Sequence, residues 1–401
     1  MKVLLVTQYF YPENFKSNDI AFELKKRGHE VTVLTGLPNY PSGKLFPGYG
    51  FFGKRKEIID GVTVIRASLF LRGKGGGIRL FLNYFSWAYF ASVRAFFLGL
   101  TKKYDAVIVH EPSPITQGFP AIVYKKLRKV PVYFWVLDLW PESLESAGGI
   151  KNKYVLGFFK RMVQYIYNNS DKILISSKGF ATSILEKGKY QDKLVYFPNW
   201  AEDAVSAGES NYPIPALPDG FKVMFAGNIG VAQDIEAIMN AALELKANKD
   251  IHFVIVGDGR SKEWAAKFAE QNGLTETVHF VGRFPIEAMK TFFDNADALL
   301  VTLKDEPIFN VTVPAKMQAY LSVGKPILSM LNGEGSEIIK ESASGLTANA
   351  GDYKQLSKNI LELYAADTVV KQKMGESAKE YYNANFKLDV CISNLENIIA
   401  K

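Results

Sequence analysis

The amino-acid sequence predicts an α/β protein built around two parallel sheets. Short runs of β-branched and aliphatic residues alternate with helical segments along nearly the whole chain. Strands of this kind are buried on both faces and alternate with helices in parallel sheets wound on both sides. At 401 residues the chain also exceeds the size at which one hydrophobic core usually divides. We therefore expect two Rossmann-like lobes.

The chain divides into four predicted regions. Residues 1–200 form an N-terminal lobe with seven strands, and residues 201–220 form a linker rich in Pro, Gly and Ala. Residues 221–375 form a second lobe with six strands, and residues 376–401 form a helical segment expected to pack back on the first lobe. Ligands are expected at the carboxyl ends of the strands, facing a cleft between the lobes. The predicted strands are residues 3–7, 30–36, 62–67, 106–110, 130–138, 171–177, 193–199, 222–228, 251–259, 278–284, 298–303, 325–331 and 345–350.

Lysine and arginine are concentrated in the first lobe. Residues 1–200 contain 29 Lys or Arg and 14 Asp or Glu, whereas the rest contains 19 and 27, which gives +15 and −8. This asymmetry favours an anionic partner such as a membrane or a phosphorylated acceptor, and a solubilising surface is the alternative. No nucleic-acid-binding module is recognisable, so nucleic acid is not expected as a partner. The single cysteine, Cys391, excludes an intramolecular disulfide, and the four histidines lack zinc-ligand spacing, so no metal is predicted.

Residues 78–100 form a long apolar helix. It is long enough to span a bilayer, but it contains Arg79 and Arg94. Together with Asn83 and Ser86, these arginines fall within one narrow arc of the helix. The pattern favours a helix buried on most sides by its lobe, and contact with a bilayer interface is the alternative.

Three strand ends in the second lobe carry residues suited to an anion or a base. The turn GNIGVAQD, residues 227–234, follows a strand and opens a helix, where glycine lets backbone N–H groups approach a phosphate. A purely structural role of the glycines in a strand-to-helix turn explains this stretch equally well. Asp258 and Gly259 lie in a similar turn, for which a structural role alone is sufficient. Arg283 suits a base edge or a phosphate, and a solvated surface position is equally compatible with it.

One charge in the second lobe lies in an unfavourable position. The helix between Pro314 and Gly324 has a single charged side chain, Lys316, in its first turn. The positive end of the helix dipole disfavours a cation there. The same position becomes favourable when an anion binds to the helix terminus.

Asp138 is the strongest site candidate in the first lobe. It ends a very apolar strand, lies between Trp135 and Trp140, and is followed by Glu142. A carboxylate amid aromatic residues is costly to bury without a partner, so it either caps the next helix or belongs to a site. The indoles are also suited to stacking on sugar rings.

Two further stretches of the first lobe contain polar residues at strand ends. His110 ends the strand before HEPSP and has either a structural or a functional role. Lys16, Ser17 and Asn18 lie where the first strand meets the first helix and are able to donate to a phosphate, while Asp19 suits an ordinary helix start.

These stretches together resemble the GT-B glycosyltransferases of family 4, also called group 1 glycosyl transferases. The matching stretches run in order along nearly the whole chain: YPEN with RGHEVTVLTGLPNYPSGK, HEP, DLWPES, FPNWAE, FAGNIG with IVGDG, and VPAKMQAYLSVGKPIL. In detail the chain is similar to the bacterial branch that assembles capsule, colanic-acid or O-antigen units, including fucosamine-transferase-like members.

The resemblance implies two Rossmann-like lobes facing across a cleft and a division of substrates between them. The second lobe would bind a nucleotide diphosphate sugar, and the first would bind an acceptor at the membrane face, often a polyprenyl-diphosphate-linked sugar. It also implies retention of anomeric configuration, no metal and no cofactor beyond the donor itself. The expected location is cytoplasmic, peripheral on the inner face of the plasma membrane.

The chain departs from the family pattern at several positions. Family members often carry two glutamates eight residues apart, where this chain has Val311 and Ala319. The phosphate-clamping Arg and Lys of the family are replaced by Asn228 and Gln233, and a first-lobe histidine is replaced by Leu137. A leaving diphosphate gains negative charge during transfer, so other cations must stabilise it.

Lys316 is the best candidate for that charge, with Arg283 and Lys16 in support, while Glu334 and Gln318 are possible substitutes for the missing glutamates. Asp138 and Lys316 are the predicted catalytic residues. The predicted donor-binding residues are Gly227, Asn228, Gln233, Asp258, Gly259, Arg283, Pro314, Lys316, Gln318 and Glu334. The predicted acceptor-binding residues are Lys16, Asn18, His110, Glu111, Asp138, Trp140 and Glu142.

The predicted function is transfer of a sugar, such as an N-acetylated or 6-deoxy hexosamine, from a UDP-linked donor to a lipid-linked saccharide. The leaving phosphate would take the acceptor proton on the same face, and double displacement through a carboxylate is the rival mechanism. A nonhydrolysing sugar-nucleotide 2-epimerase and an inactive nucleotide-sugar-binding scaffold are the alternative functions.

Overall fold

The computed structural model describes residues 1–73, 75–146, 149–201 and 212–400. These residues form two compact units. The first contains Met1–Ser176, Phe180–Phe197 and the chain from Ile392 onward, and the second contains Ser177–Gly179 and Pro198–Cys391. Residues 202–211 of the predicted linker lie outside the described residues.

An eight-stranded sheet organises the first unit. The strand order is β3-β4-β2-β1-β5-β6-β7-β8, and every neighbouring pair is parallel except the antiparallel pair β3–β4. The seven predicted strands are confirmed, and β3 is an additional edge strand. Asp60 and Gly61, with φ of 48° and 79°, form the turn between β3 and β4, an Asp-Gly signal typical of hairpins. The strands are β1 Lys2–Val6, β2 Glu30–Gly36, β3 Lys56–Ile59, β4 Val62–Ala67, β5 Ala106–Glu111, β6 Val132–Val136, β7 Lys172–Ile175 and β8 Leu194–Tyr196.

Helices of the first unit follow the strands. The strands β1, β2 and β5 at the centre of the sheet are almost wholly buried, because helices cover the sheet. The helices are α1 Lys16–Lys26, α2 Gly77–Thr101, α3 Gly118–Arg128, α4 Glu142–Ser146, α5 Lys153–Asn169 and α6 Phe180–Leu185.

Helix α2 confirms the predicted helix, but the expectation that it is buried on most sides is wrong. Its buried side carries mainly small residues, and a Cβ at Gly99 would lie 2.8 Å from Leu127 Cδ1 of α3. Asn83, from the predicted polar arc, is buried and accepts a 2.8 Å bond from Gln8 Nε2. Most of the large apolar side chains therefore lie on the exposed side of α2. Among the described residues, no helix has the length and hydropathy needed to cross a membrane.

A six-stranded parallel sheet organises the second unit, with strand order β11-β10-β9-β12-β13-β14. All six predicted strands are confirmed, and mostly buried apolar runs mark the four inner strands β9, β10, β12 and β13. The strands are β9 Phe221–Ala226, β10 Ile251–Val256, β11 Val278–Gly282, β12 Ala298–Thr302, β13 Ile327–Met330 and β14 Gly345–Ala348. The helices are α7 Ile235–Glu244, α8 Lys262–Gln271, α9 Met289–Asp294, α10 Pro307–Asn310, α11 Ala315–Val323, α12 Glu334–Glu341, α13 Tyr353–Ala365 and α14 Thr368–Asn385.

The last described helix, α15 Leu388–Ile399, carries the chain back to the first unit. Arg27 Nη1 donates to Ser393 Oγ and to Glu396 Oε2, each at 2.8 Å. His29 Nε2 lies 2.7 Å from Glu396 Oε1. Residues 392–400 are therefore part of the first unit, whereas α14 belongs to the second.

Candidate functional site

A cavity of about 380 Å³ lies at the carboxyl ends of β9, β10 and β11 in the second unit. Four predicted donor-binding residues line it: Gly227, Asn228, Asp258 and Arg283. Carboxyl ends of parallel strands are where open α/β sheets bind ligands. The structure thus brings these residues, which are far apart in sequence, around one cavity.

The glycines of the two turns pack against each other. A Cβ at Gly257 would lie 1.9 Å from the carbonyl oxygen of Gly227, and one at Gly259 would lie 2.3 Å from that of Ile229. Gly227 and Gly257 also have φ of 139° and 145°, which side chains rarely tolerate. A structural role therefore accounts for Gly257 and Gly259, and the same packing holds the Gly227 turn in place.

Lys316 lies beside the Gly227 turn. Its Nζ is 3.7 Å from the centre of the Phe225 ring, and a Cβ at Gly227 would lie 3.1 Å from that nitrogen. The Nζ atom is buried and has no hydrogen-bond partner in the part of the chain that the structure describes. Burial lowers the pKa of Lys316 to about 7. A cation held in this way is ready to receive an anion, because a counter-charge would offset the free-energy cost of its burial.

Two sequence features create this environment. Pro314 precedes the first residue of α11, so Lys316 lies in the first turn, as predicted. Tyr320, one turn later, accepts a 3.0 Å bond from the backbone N–H of Ala226, which ties α11 to the end of β9. Sequence reasoning missed Phe225, because its position in an apolar strand does not distinguish it from an ordinary core residue.

The other predicted donor-binding side chains have different surroundings. Asn228 Nδ2 donates a long 3.4 Å bond to Gln233 Oε1, so these two amides lie together. Gln318 is buried, and its Oε1 has no hydrogen-bond partner among the described residues. Burial raises the pKa of Glu334, while the backbone N–H groups of Lys178 and Gly179 lower it. Glu334 therefore binds the protein's own backbone, and its contact with a donor stays a prediction.

In the first unit, Asp138 follows β6 and is held by three side-chain donors and by the backbone N–H of Leu139. Trp140 Nε1 donates to Asp138 Oδ2 at 3.1 Å, and the hydroxyls of Ser113 and Ser143 donate to the same carboxylate. Burial raises the pKa of Asp138, and these three donors oppose that rise. The carboxylate is thus fixed in one orientation before any ligand binds.

Glu111 and His110 lie at the end of the neighbouring strand β5. Burial raises the pKa of Glu111 well above its usual value, and the Asp138 carboxylate raises it further. Burial lowers the pKa of His110 to about 3, with a smaller contribution from Lys16. His110 Nδ1 lies 3.2 Å from Thr7 Oγ1, and its ring packs on Trp135. His110 is therefore uncharged at neutral pH and belongs to the buried hydrogen-bond network, while burial favours the protonated form of Glu111.

Three other predicted acceptor-binding side chains bind the protein itself. Asn18 accepts from the backbone N–H of Tyr11 at 2.9 Å and donates to the carbonyl of Glu13 at 2.8 Å. Lys16 lies 3.6 Å from Asp19. The remaining one, Glu142, pairs with the buried Lys187, which is far from it in sequence. Their contact with an acceptor stays a prediction.

An apolar groove of about 860 Å³ opens beside Asp138 and Trp140. Helices α2, α4 and α5 form its walls, and the polar residues Ser113 and Ser143 lie near the carboxylate. The sequence did not predict this groove, because its walls come from helices far apart along the chain. The main apolar lining residues are Leu80, Phe81, Phe85, Tyr154, Phe158 and Phe159.

Family models match both units. The model described as "Glycosyl transferase 4-like domain" matches residues 17–200, and the model described as "Glycosyl transferases group 1" matches residues 220–366. Together these models cover most of the chain. A similar protein is the putative colanic acid biosynthesis glycosyl transferase WcaI of Escherichia coli, with 26% identity over 344 residues, 81% of this chain and 82% of WcaI.

Two solved structures have the same fold. Sucrose-phosphate synthase of Thermosynechococcus elongatus has a TM-score of 0.73 at 12% identity, covering 100% of this chain and 98% of its own. Alr3699/HepE of Anabaena, solved in complex with UDP, has a TM-score of 0.69 at 12% identity, covering 100% of both chains. At this identity the likeness establishes the fold alone.

Proposed function

The chain belongs to the group 1 glycosyl transferases and has the GT-B fold, and from this premise we propose that it is a retaining enzyme of bacterial surface polysaccharide assembly. It transfers a sugar from a UDP-linked donor to a lipid-linked saccharide, without a metal ion. The likeness to WcaI, named for colanic acid biosynthesis, supports the pathway class. The UDP in the Alr3699/HepE structure supports the nucleotide.

The observation that carries this proposal is the Lys316 ammonium, which is buried beside the Gly227 turn and has no hydrogen-bond partner among the described residues. When the bond from sugar to diphosphate breaks, negative charge grows on the departing oxygen. The Lys316 ammonium and the N-terminal dipole of α11 stabilise that charge. Lys316 thereby compensates for Asn228 and Gln233, which are neutral at the positions where many relatives carry cations.

Asp138 acts on the acceptor side of the reaction. Its carboxylate is held by Trp140, Ser113 and Ser143, and it orients the attacking acceptor hydroxyl by accepting a hydrogen bond from it. The hydroxyl proton passes to the departing diphosphate on the same face of the sugar, so that the anomeric configuration is retained. Asp138 need not change its protonation state in this mechanism.

Incubating the purified protein with UDP-sugars and a polyprenyl-diphosphate-linked sugar tests the proposal. We expect UDP release and a lengthened lipid-linked saccharide, and we expect the Lys316→Met variant to lose both. Epimerised UDP-sugar without an acceptor would instead identify an epimerase. Nucleotide binding without turnover for every donor and acceptor pair would identify a scaffold, and either result would overturn the proposal.

We place the enzyme at the inner face of the plasma membrane, where its acceptor is anchored. The excess of 29 Lys or Arg over 14 Asp or Glu in residues 1–200 supports attraction to anionic lipids.

A further inference from the structure

Helices α2 and α5 present an exposed apolar surface. On α2, the exposed large apolar side chains range from 39% for Phe90 to 79% for Ile78, and on α5 Tyr154 is 79% exposed. Contiguous apolar patches of this kind are uncommon on monomeric soluble proteins and mark interaction sites. Other exposed members are Phe81, Phe96, Phe97, Leu100 and Phe158.

The charged side chains of these two helices and their ends are all cations. Residues 77–103 and 151–169, which contain α2 and α5, have eight Lys or Arg residues and no Asp or Glu. Most of these eight cations are exposed. An apolar face bordered by cations complements a membrane with anionic headgroups. The eight are Arg79, Arg94, Lys102, Lys103, Lys151, Lys153, Lys160 and Arg161.

Two grooves run into this surface. The groove of about 860 Å³ leads to Asp138, and a second groove of about 630 Å³ lies among α2, α3 and α5. Phe85 and Phe158 line both grooves, so the apolar surface is continuous between them. The larger groove thus connects the exposed apolar surface to the predicted catalytic carboxylate.

We propose that the α2–α5 surface docks on an anionic lipid bilayer and that the larger groove holds the hydrocarbon chain of the lipid-linked acceptor. This inference rests on the proposed function and identifies the place where that acceptor binds. The hydrocarbon chain lies between the aromatic walls of α2 and α5, and the polar end lies beside Asp138.

The charge pattern argues against a second copy of this chain as the occupant. In a two-fold symmetric dimer through this surface, each copy would place its eight cations against those of the other. Like charges brought together in this way repel each other. An anionic bilayer instead neutralises the same cations while covering the apolar side chains.

Sedimentation with vesicles tests the docking surface without requiring turnover. We expect the wild type to bind vesicles that contain phosphatidylglycerol, to bind pure phosphatidylcholine weakly, and to be released by salt. The triple variant Arg94→Glu, Lys160→Glu, Arg161→Glu should lose binding. The matched control variant is Lys26→Glu, Lys44→Glu, Lys189→Glu, which makes the same charge change at exposed positions elsewhere in the first unit. It should keep most of the vesicle binding.

Filling the groove tests the acceptor site. Val155 lines the groove and is 37% exposed, so Val155→Trp reduces its volume without disturbing the core. We expect KM for a long-chain acceptor to rise about tenfold, and KM for a water-soluble short-chain analogue to stay unchanged. Val369→Trp, at a 76% exposed position on α14, is the control and should change neither.

The outcomes separate this inference from the proposed function. Vesicle binding by wild type without any sugar transfer would refute the function and leave the docking surface standing. Transfer to a long-chain acceptor without vesicle binding would overturn the inference. A KM for the long-chain acceptor that is the same in the wild type and in Val155→Trp would also overturn it. Concentration-dependent dimers abolished by Val155→Trp would identify the surface as a protein interface and would also overturn it.

Discussion

Asp138 and Lys316 are the predicted catalytic residues of the two units, and their surroundings are opposite. Asp138 receives hydrogen bonds from Trp140, Ser113 and Ser143. Lys316 has an aromatic ring beside its ammonium and no hydrogen-bond partner within the described ranges. The carboxylate therefore has its hydrogen bonds in the free protein, whereas we expect the ammonium to gain a partner only when an anion binds.

A charged group in a site is therefore either held by hydrogen bonds from the protein, as Asp138 is, or buried without them, as Lys316 is among the described residues. Three donors fix the direction of Asp138, which suits a group that orients a hydroxyl. Leaving a buried polar group unsatisfied costs on the order of 1 to 3 kcal/mol, and a charged group costs more. In the proposed reaction, a diphosphate bound to Lys316 would remove that cost, so the protein would bind the leaving group more tightly than a satisfied lysine would allow.

The largest expected effect is that of Lys316→Met. We expect kcat/KM to fall by roughly 10² to 10³ and UDP affinity to fall with it, because the fixed positive charge is lost. Thermal stability should rise, since the substitution removes a buried ammonium that has no hydrogen-bond partner in the regions the structure describes. Lys325→Met is the matched control: Lys325 Nζ donates to the Asp294 carbonyl at 2.8 Å, so its loss should lower Tm and spare UDP binding. A drop in Tm for Lys316→Met would contradict this account of Lys316.

Asp138→Asn should separate turnover from donor binding. The amide keeps an acceptor oxygen for Trp140 but weakens the hydrogen bond to the acceptor hydroxyl, so we expect kcat to fall by about 10². UDP affinity, measured by calorimetry, should not change. A parallel loss of UDP affinity would show that Asp138 does not act on the acceptor alone.

The pH dependence of UDP binding follows from the pKa of Lys316, which burial lowers to about 7. Above pH 7 the free lysine is largely neutral, and binding a diphosphate restores its charge, so UDP binding should take up a proton. Affinity should therefore weaken by up to about tenfold per pH unit above 7. Calorimetry in buffers of different ionisation enthalpy measures the uptake, and Lys316→Arg, always charged, should abolish it.

The same pKa shift predicts the sign of a stability change. Between pH 7 and the ordinary lysine pKa of about 10.5, the unfolded chain binds more protons at this residue than the folded one does. The contribution of Lys316 to the free energy of unfolding therefore increases with pH across that window. Saturating UDP should remove this dependence.

The smallest expected effect is that of Gly227→Ala. The new Cβ would lie 3.1 Å from Lys316 Nζ at a φ of 139°, so the lysine and the turn must shift. We expect UDP affinity to fall about tenfold, with some loss of stability. At Gly351, φ is 78° and an added Cβ would meet no atom within 4 Å, so Gly351→Ala should cost stability and spare UDP affinity.

The fold could be predicted from the sequence largely because most buried strands are short, mainly apolar runs rich in β-branched and aromatic residues. Edge strand β3 was missed because its four residues alternate between exposed and half-buried positions. The exposed face of α2 was also missed. Its large apolar residues predicted a helix buried on most sides, whereas the small residues Ala91 and Ala95 lie on the side that packs on the unit.

The candidate site was predictable to a different degree in each unit. Lys316 was found because a lone cation in a first helical turn conflicts with the helix dipole, a conflict visible in the sequence. The partners of Asp138 were not predicted, because Ser113 comes from another strand end. Pairing of Glu142 with Lys187 depends on tertiary contacts that no local pattern encodes.

The return of the chain to the first unit at Ile392 affects the order of folding during synthesis. Domains generally fold as they leave the ribosome, with the N-terminal one first. Here Arg27 and His29 cannot contact Glu396 until the second unit has been synthesised, because Glu396 emerges after it. The second unit is thus the first to be complete on the ribosome, and the N-terminal unit acquires its last ion pairs afterwards.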